Sequence, residues 1–199
     1  MDDRYTYLND FFKRVEDEGR ILSAEFRDHL AAIATIEEYE CREQLQRRNQ
    51  PVVYTWFVLK GVLRSRTSYE RKDTDVTTWL WFPGQWAAVF SHLFTSSRSD
   101  RIIESIADSV VIRIPFSEFI SIRLTFPQEW QWLLGCMLEA FIRANDIRQE
   151  QIMTMSARER YSLLLEQHPE VFQMINQREI ASYLNISREE LSRLRAVRG

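Results

Sequence analysis

The chain has 199 residues, 45% of them hydrophobic, enough for one large or two modest domains with a proper core. Twenty-six Lys and Arg against 29 Asp and Glu leave a formal charge of −3, so no global positive field points to nucleic acid and no polybasic tail to a membrane. Any nucleic-acid contact has to be local. The acidic start, Met1-Asp2-Asp3-Arg4-Tyr5, has no secretory apolar core, and the densest apolar run, 79–82, is too short to span a bilayer. A cytoplasmic protein is expected.

Residues 4–17 and 23–34 read as helices, the second opening on Ser23 as N-cap with Phe26, Leu30 and Ile33 on one face. The pattern then changes period. From about 37 to 114 the chain is rich in aromatic and β-branched residues in short runs, at 52–59, 62–69, 76–82 and 110–114, which read as strands. Gly61 and Pro83-Gly84 punctuate them, as turns between consecutive strands of a sandwich or barrel do. Residues 70–75, Glu-Arg-Lys-Asp-Thr-Asp, read as a solvated hairpin tip without packing content.

After Pro127, well placed in a first helical turn, 128–154 reads as one long helix. Leu133, Met137, Ala140, Ala144, Ile147 and Gln151 follow a four-three spacing, while Leu134, Leu138, Phe141 and Ile142 make further faces apolar. Such a helix needs two things to pack against: either all within one chain, or its own barrel and its twin in a dimer.

Three helix starts are readable in the last 44 residues. Ser156…Glu159, Asn176…Glu179 and Ser187…Glu190 each place a capping side chain three residues before a Glu, the capping-box spacing. His168-Pro169 is expected to end the first of these helices. The unit that follows is helix, short turn, helix. Ile180, Leu184, Ile186, Leu191 and Leu194 fall on its inward positions, small Ala181 where the helices come closest, and Asn185 at the turn, where a left-handed residue is wanted. The second helix then presents Arg188, Glu189, Ser192 and Arg193, two guanidiniums and a carboxylate able to reach base edges in a major groove. With seven Arg against six Glu, 156–199 carries only a weak positive charge.

Other chemistry is poorly supplied. Five scattered glycines leave no Walker A loop and no dinucleotide fingerprint. There is no G-x-S-x-G elbow and no H-E-x-x-H helix, and His29, His92 and His168 stand alone. No catalytic residue and no metal site is assigned. Cys41 and Cys136 have no nearby ligand set and are expected as small buried hydrophobes.

The order of β-rich domain, long helix and helix-turn-helix resembles the Crp/Fnr family of transcription regulators over nearly the whole chain. The most specific stretch is Gln177-Arg178-Glu179-Ile180-Ala181-Ser182-Tyr183-Leu184-Asn185-Ile186-Ser187-Arg188-Glu189-Glu190-Leu191-Ser192-Arg193, similar to the family's (R/Q)-x-E-I-A-x-x-L-G-x-(S/T)-R-E-x-x-(S/G)-R. The segment Ser156-Ala157-Arg158-Glu159-Arg160-Tyr161, with Pro169 after it, is similar to a short-tailed, Bacteroidetes-type branch.

The resemblance implies an α+β chain. A cyclic-nucleotide-binding-like jelly roll (double-stranded β-helix) is expected over 1–126, a dimerisation helix over 127–155, and a helix-turn-helix domain over 156–199. The chain stops at Gly199, a few residues past the recognition helix, so a β-wing is expected to be absent or vestigial. The implied protein is not an enzyme but a homodimeric transcription regulator on a pseudo-palindromic duplex operator, with RNA polymerase as a further partner. Arg188, Glu189, Ser192 and Arg193 would read bases. Arg178, Ser187 and Arg195 would hold phosphates, a role suited to a hydroxyl at a helix N-terminus.

The family's cyclic-nucleotide cassette resembles G-E-x-(G/A), then a spacer, then R-(S/T)-A. The matching residues here are Gly84-Gln85-Trp86-Ala87 and Arg98-Ser99-Asp100-Arg101. Gln85 replaces the ribose-binding carboxylate, Trp86 adds bulk, Asp100 puts a negative charge where phosphate would lie, and the spacer is longer than usual. A degenerate pocket at Gly84, Gln85, Trp86, Arg98, Ser99 and Arg101 is therefore expected, without a cofactor. Two alternatives stay open: cyclic AMP or cyclic GMP bound there as a switch of DNA or partner binding, and an apolar effector resting on Trp56, Trp79, Trp81 and Trp86.

Overall fold

The computed structural model describes residues 3–16, 21–69, 74–95 and 97–196. Helix α1 (Asp3–Glu16) buries Phe11, Phe12 and Val15, apolar positions at helical spacing. In α2 (Ala24–Ile33) Ser23 Oγ accepts the Phe26 amide at 3.2 Å, and Phe26 and Leu30, one turn apart, are buried.

Eight strands then build two four-stranded antiparallel sheets. The first has the order β1 (Thr35–Tyr39), β8 (Ser109–Pro115), β3 (Tyr54–Lys60), β6 (Trp86–Ala87). The second has the order β2 (Gln44–Gln46), β7 (Ile102–Ser105), β4 (Leu63–Tyr69), β5 (Thr74–Trp81). Central strands β3 and β8 are buried almost continuously, whereas edge strand β1 has no fully buried residue and carries Glu37 and Glu38. Gly61, at φ +84°, makes the turn into β4; any Cβ there would lie 2.2 Å from Ser109 Oγ, so only glycine fits.

The four strands legible in the sequence are β3, β4, β5 and β8. The other four are short or polar, which is why periodicity alone passes over them. The tip residues 70–73 lie outside the described residues. Asp75 departs from the solvated reading, since it stands in β5 and pairs with Arg66 at 2.6 Å.

Short α3 (Phe90–Leu93) and α4 (Phe116–Ser121) precede α5 (Pro127–Thr154), the long helix, with Pro127 in its first turn as expected. Leu133 and Met137 of α5 are buried against the first sheet together with Phe11, Phe26, Trp56, Phe57 and Ile112. A second core joins Val62, Leu80, Phe82 and Ile106 of the β-region to the C-terminal helices α6 (Ala157–Gln167), α7 (Val171–Met174), α8 (Gln177–Leu184) and α9 (Arg188–Ala196). The C-terminal unit thus shares its core with the sandwich. Among the described residues no helix is long and apolar enough to cross a membrane, and no group of His, Cys, Asp or Glu is placed to hold a metal ion.

Two expectations are corrected. Cys41 is exposed, its thiol donating to the Ile106 carbonyl at 3.3 Å, and Cys136 is half-buried. Ser156 and Glu159 do form a reciprocal capping box, and Asn176 Oδ1 accepts the Glu179 amide at 3.0 Å. The Glu179 carboxylate does not return the bond, however: it is 4% exposed and points into a cluster of arginines on the second sheet.

Candidate nucleic-acid interface and effector cavity

The α8–turn–α9 unit is set by three local features. Asn185 takes the left-handed conformation (φ 54°), which lets the Ile186 amide bond the Ala181 carbonyl at 3.0 Å and turns the chain sharply into α9. Ile180, Ala181, Leu184 and Leu191 are buried, with Ile186 and Leu194 half-buried beside them. Ser187 Oγ accepts the Glu190 amide at 3.1 Å and so caps the start of α9.

With Leu191 turned inward, the opposite side of α9 is solvent-facing. Glu189 and Arg193 lie on it, and Arg188, Ser192 and Arg195 run along the flank beside them, all exposed. All four residues expected to read bases therefore share one open face. The Glu189 carboxyl is held below the ordinary carboxylate range by its own backbone amide first, then by the Ser187 hydroxyl and the neighbouring Arg188 and Arg193, and it stays ionised near neutrality. Ser187 is thus engaged both as a cap and by Glu189. Of the expected phosphate contacts, Arg195 belongs to the α9 face, while Arg178 is exposed on α8 beside β5.

The rear of α8 is clamped to the second sheet. Arg64 and Glu104 face each other across β4 and β7, with Arg64 Nε donating to Glu104 Oε1 at 2.6 Å. Arg64 Nη1 also lies 3.0 Å from Glu179 Oε1, Arg66 Nε lies 2.9 Å from Glu104 Oε2, and Arg42 pairs with Glu179. Donation to the Glu179 carboxylate raises the Arg42 pKa. The Ser182 hydroxyl accepts the Thr77 amide of β5 at 2.8 Å. At the C-terminal end of α8, Arg148 of α5 lies over the Tyr183 ring (3.9 Å) and donates to the Tyr183 carbonyl, and Arg160 Nε donates to the Leu184 carbonyl at 3.0 Å. Burial pulls the Arg148 pKa down and pushes that of Tyr183 up. Sequence reasoning missed this clamp. The available signal was Arg64 and Arg66 at a strand's two-residue spacing, which puts both on one face of a sheet.

The expected effector residues separate into two groups. Gly84, Gln85 and Trp86 line a cavity of about 150 Å³ between α1, the strands and α5. Arg98, Ser99 and Arg101 lie apart from it. Arg98 bridges to Pro51 and donates to the Asn49 carbonyl at 2.6 Å, Ser99 Oγ bonds the Arg101 carbonyl at 2.6 Å, and Arg101 pairs with Asp100 at 3.2 Å. Of the four tryptophans proposed for an apolar effector, Trp79, Trp81 and Trp86 line the cavity, but Trp56 is buried in the core. Arg14 and the α5 wall were not legible, because tertiary packing alone brings them there.

The chain thus combines a sandwich of two antiparallel sheets, a long helix and a C-terminal helix-turn-helix. The chain matches no protein-family model and no curated protein. Among solved structures it is similar to FixK2 from Bradyrhizobium japonicum, with a TM-score of 0.69 and 19% identity over 82% of this chain and 83% of that one. It is also similar to CLP, the c-di-GMP responsive global regulator of Xanthomonas campestris (TM-score 0.66, 13% identity, 86% and 89% of the two chains). A third similar structure is described as a transcriptional regulator of the crp/fnr family from Eubacterium rectale (TM-score 0.60, 18% identity, 93% and 85%). At these identities the likeness establishes the fold, which this chain shares with all three.

Proposed function

We propose that this protein is a sequence-specific, DNA-binding transcription regulator of the Crp/Fnr type, working in the cytoplasm as a homodimer. The observation that carries the reading is the α8–turn–α9 unit, whose left-handed Asn185 and inward Leu191 leave Arg188, Glu189, Ser192 and Arg193 together on one open helix face. Guanidiniums there suit guanine edges, and an ionised Glu189 suits the cytosine amino group. Arg195, Arg178 and Ser187 are assigned to the phosphate backbone. In this reading 1–126 is the sensor, 127–155 the dimer helix and 156–199 the DNA-binding domain.

The dimer is supported by the outer face of α5, where Gly135, Leu138, Ile142 and Met153 form a stripe, with Ile142 56% and Met153 76% exposed. A Cβ on Gly135 would meet nothing within 4 Å, so no contact inside this chain calls for glycine, although a glycine inside a helix costs about 1 kcal/mol relative to alanine. Close approach of a second α5 accounts for it. Two recognition helices would then sit about 34 Å apart and read half-sites one helical turn apart. RNA polymerase is the further partner such a regulator would engage. The local bonding of Arg98, Ser99 and Arg101, away from Gly84, supports a degenerate nucleotide pocket.

Selection of binding sites from random duplex DNA, run with the intact protein and with Arg193→Ala at two salt concentrations, tests this. The expected outcome is a palindrome whose preference relaxes in the variant, at a cost of about 1–3 kcal/mol on the best site. Equal loss on every sequence would remove the base-reading role.

A further inference from the structure

The cavity at Gly84, Gln85 and Trp86 has an unusual lining for an ordinary packing defect. Phe57, Trp79, Trp81, Trp86 and Phe141 supply aromatic walls, and Ala140 and Ala144, one turn apart on α5, leave the space open. Its volume, about 150 Å³, equals that of engineered apolar cavities that take up one benzene-sized ring. Ala140, Gly84 and Gln85 are exposed, so the site opens to solvent along one edge and a small ligand can enter it.

Two donors stand at its edge. Arg14 of α1 is half-exposed; its Nε pairs with Asp10 at 2.9 Å, while its Nη1 lies so close over Gly84 that a Cβ there would sit 3.2 Å away. Among the described residues Nη1 has no acceptor. Gln85 Oε1 accepts the Phe82 amide at 3.1 Å, which leaves the Gln85 amino group to donate elsewhere. An aromatic box carrying two polar donors on one side matches a planar molecule with one anionic end.

We infer that this cavity binds a one-ring aromatic carboxylate, its ring packed among Phe57, Trp79, Trp86 and Phe141 and its carboxylate held by Arg14 and Gln85. The occupant touches the sheets and α5 at once, so it joins the sandwich to the long helix. Ala144 also borders the neighbouring cavity formed with Arg148 and Tyr183, which places the ligand one helical turn from the contacts that hold α8.

The test is titration of the intact protein with benzoate and with toluene, its neutral isostere, followed by calorimetry and tryptophan emission. Benzoate is expected to bind saturably at one site per chain, about tenfold or more tighter than toluene. Arg14→Met is expected to abolish that difference while leaving toluene binding intact, and Ala144→Leu to abolish both. The melting temperature of each variant verifies its fold, and Ala140→Val replaces Ala144→Leu if the latter does not fold. The inference is overturned if benzoate gives no saturable signal, if toluene matches it, or if Arg14→Met changes neither. Cyclic AMP bound saturably and blocked by the same α5 substitution would also overturn it. None of these readouts involves DNA, so their failure leaves the regulator reading standing, and failure of the DNA selection leaves this one standing.

Discussion

The first sheet meets α1 and α5 through Phe11, Phe57, Trp86, Leu133 and Met137, with the Phe11, Phe57 and Trp86 rings in edge-to-face contact at 4.9–5.6 Å. The second sheet meets α8 through Arg42, Arg64, Arg66, Glu104 and Glu179, flanked by the shared apolar patch of Val62, Leu80, Phe82 and Ile106. The two interfaces divide the work of the chain. Apolar packing is non-directional and tolerates a cavity, so the first face can hold a ligand without losing its register. A charge cluster is directional: three guanidiniums and the carboxylates of Glu104, Glu179 and Asp75 fit one another in one arrangement, which fixes how α8, and with it the recognition face, is presented.

The sharpest way to break that contrast is Arg64→Met, a swap that keeps much of the volume and removes the charge. Glu104 and Glu179 are 3% and 4% exposed, and without Arg64 each would be left buried and short of a partner. A loss of about 3–5 kcal/mol in urea unfolding is expected. Adding Glu179→Leu to Arg64→Met is expected to return part of it, because an apolar pair of similar size replaces a broken ion pair. If Arg64→Met costs no more than an ordinary surface change, the clamp does not hold α8.

On the apolar face the same logic gives the opposite pattern. Leu133, 1% exposed and bordering the cavity, should cost about 2–5 kcal/mol when cut to alanine. The volume-conserving Leu133→Met should cost less than about 1.5 kcal/mol in the same assay. Volume decides on this face and charge on the other. A Leu133→Met loss as large as that of Arg64→Met would erase the distinction.

Asn185 offers a smaller, local probe of the clamped unit. Its left-handed backbone suits glycine as well as asparagine, so Asn185→Gly is expected to be near neutral, while Asn185→Ala loses about 1–2 kcal/mol. Equal stability of the two variants would mean that the turn relaxes out of the left-handed region.

What could be read from the sequence follows the range of the interactions. The helix-turn-helix was legible because its signals are local: an N-cap at Asn176, a left-handed residue at Asn185 and apolar spacing from Ile180 to Leu191 all lie within one short stretch. The long helix was legible for the same reason, though not its facing. The four-three stripe beginning Leu133, Met137, Ala140 and Ala144 turns to its own sandwich, and Ile142 is what faces outward. Glu179 misled because a capping-box acid and a buried ion-pair acid have the same spacing from Asn176, and only the distant Arg42 and Arg64 decide between them. The effector residues misled in another way. Gly84 and Arg98 match a family spacing in sequence, but in the fold Arg98 is tied to the loop at Asn49 and Pro51, while the guanidinium that reaches Gly84 comes from α1.

The smallest expected effect concerns the entry to α6, the helix that carries Arg160 to the end of α8. Glu159 accepts bonds from the Ser156 amide and hydroxyl, both at 2.7 Å, and the hydroxyl, then the amide, hold its carboxyl below the ordinary range. A carboxyl whose pKa is lower in the folded than in the unfolded chain contributes stability above the unfolded value and loses it as the pH falls toward the folded one. Wild type and Glu159→Gln, which keeps the capping geometry but cannot titrate, should therefore run in parallel in melting temperature above about pH 5 and diverge below about pH 4, with the wild type falling faster. Because this residue is fully exposed the divergence should be slight, and it should leave urea unfolding at neutral pH almost unchanged. A large effect at neutral pH would show instead that the cap governs how Arg160 seats α8, and would extend the charged face of the molecule from the second sheet to the start of the C-terminal unit.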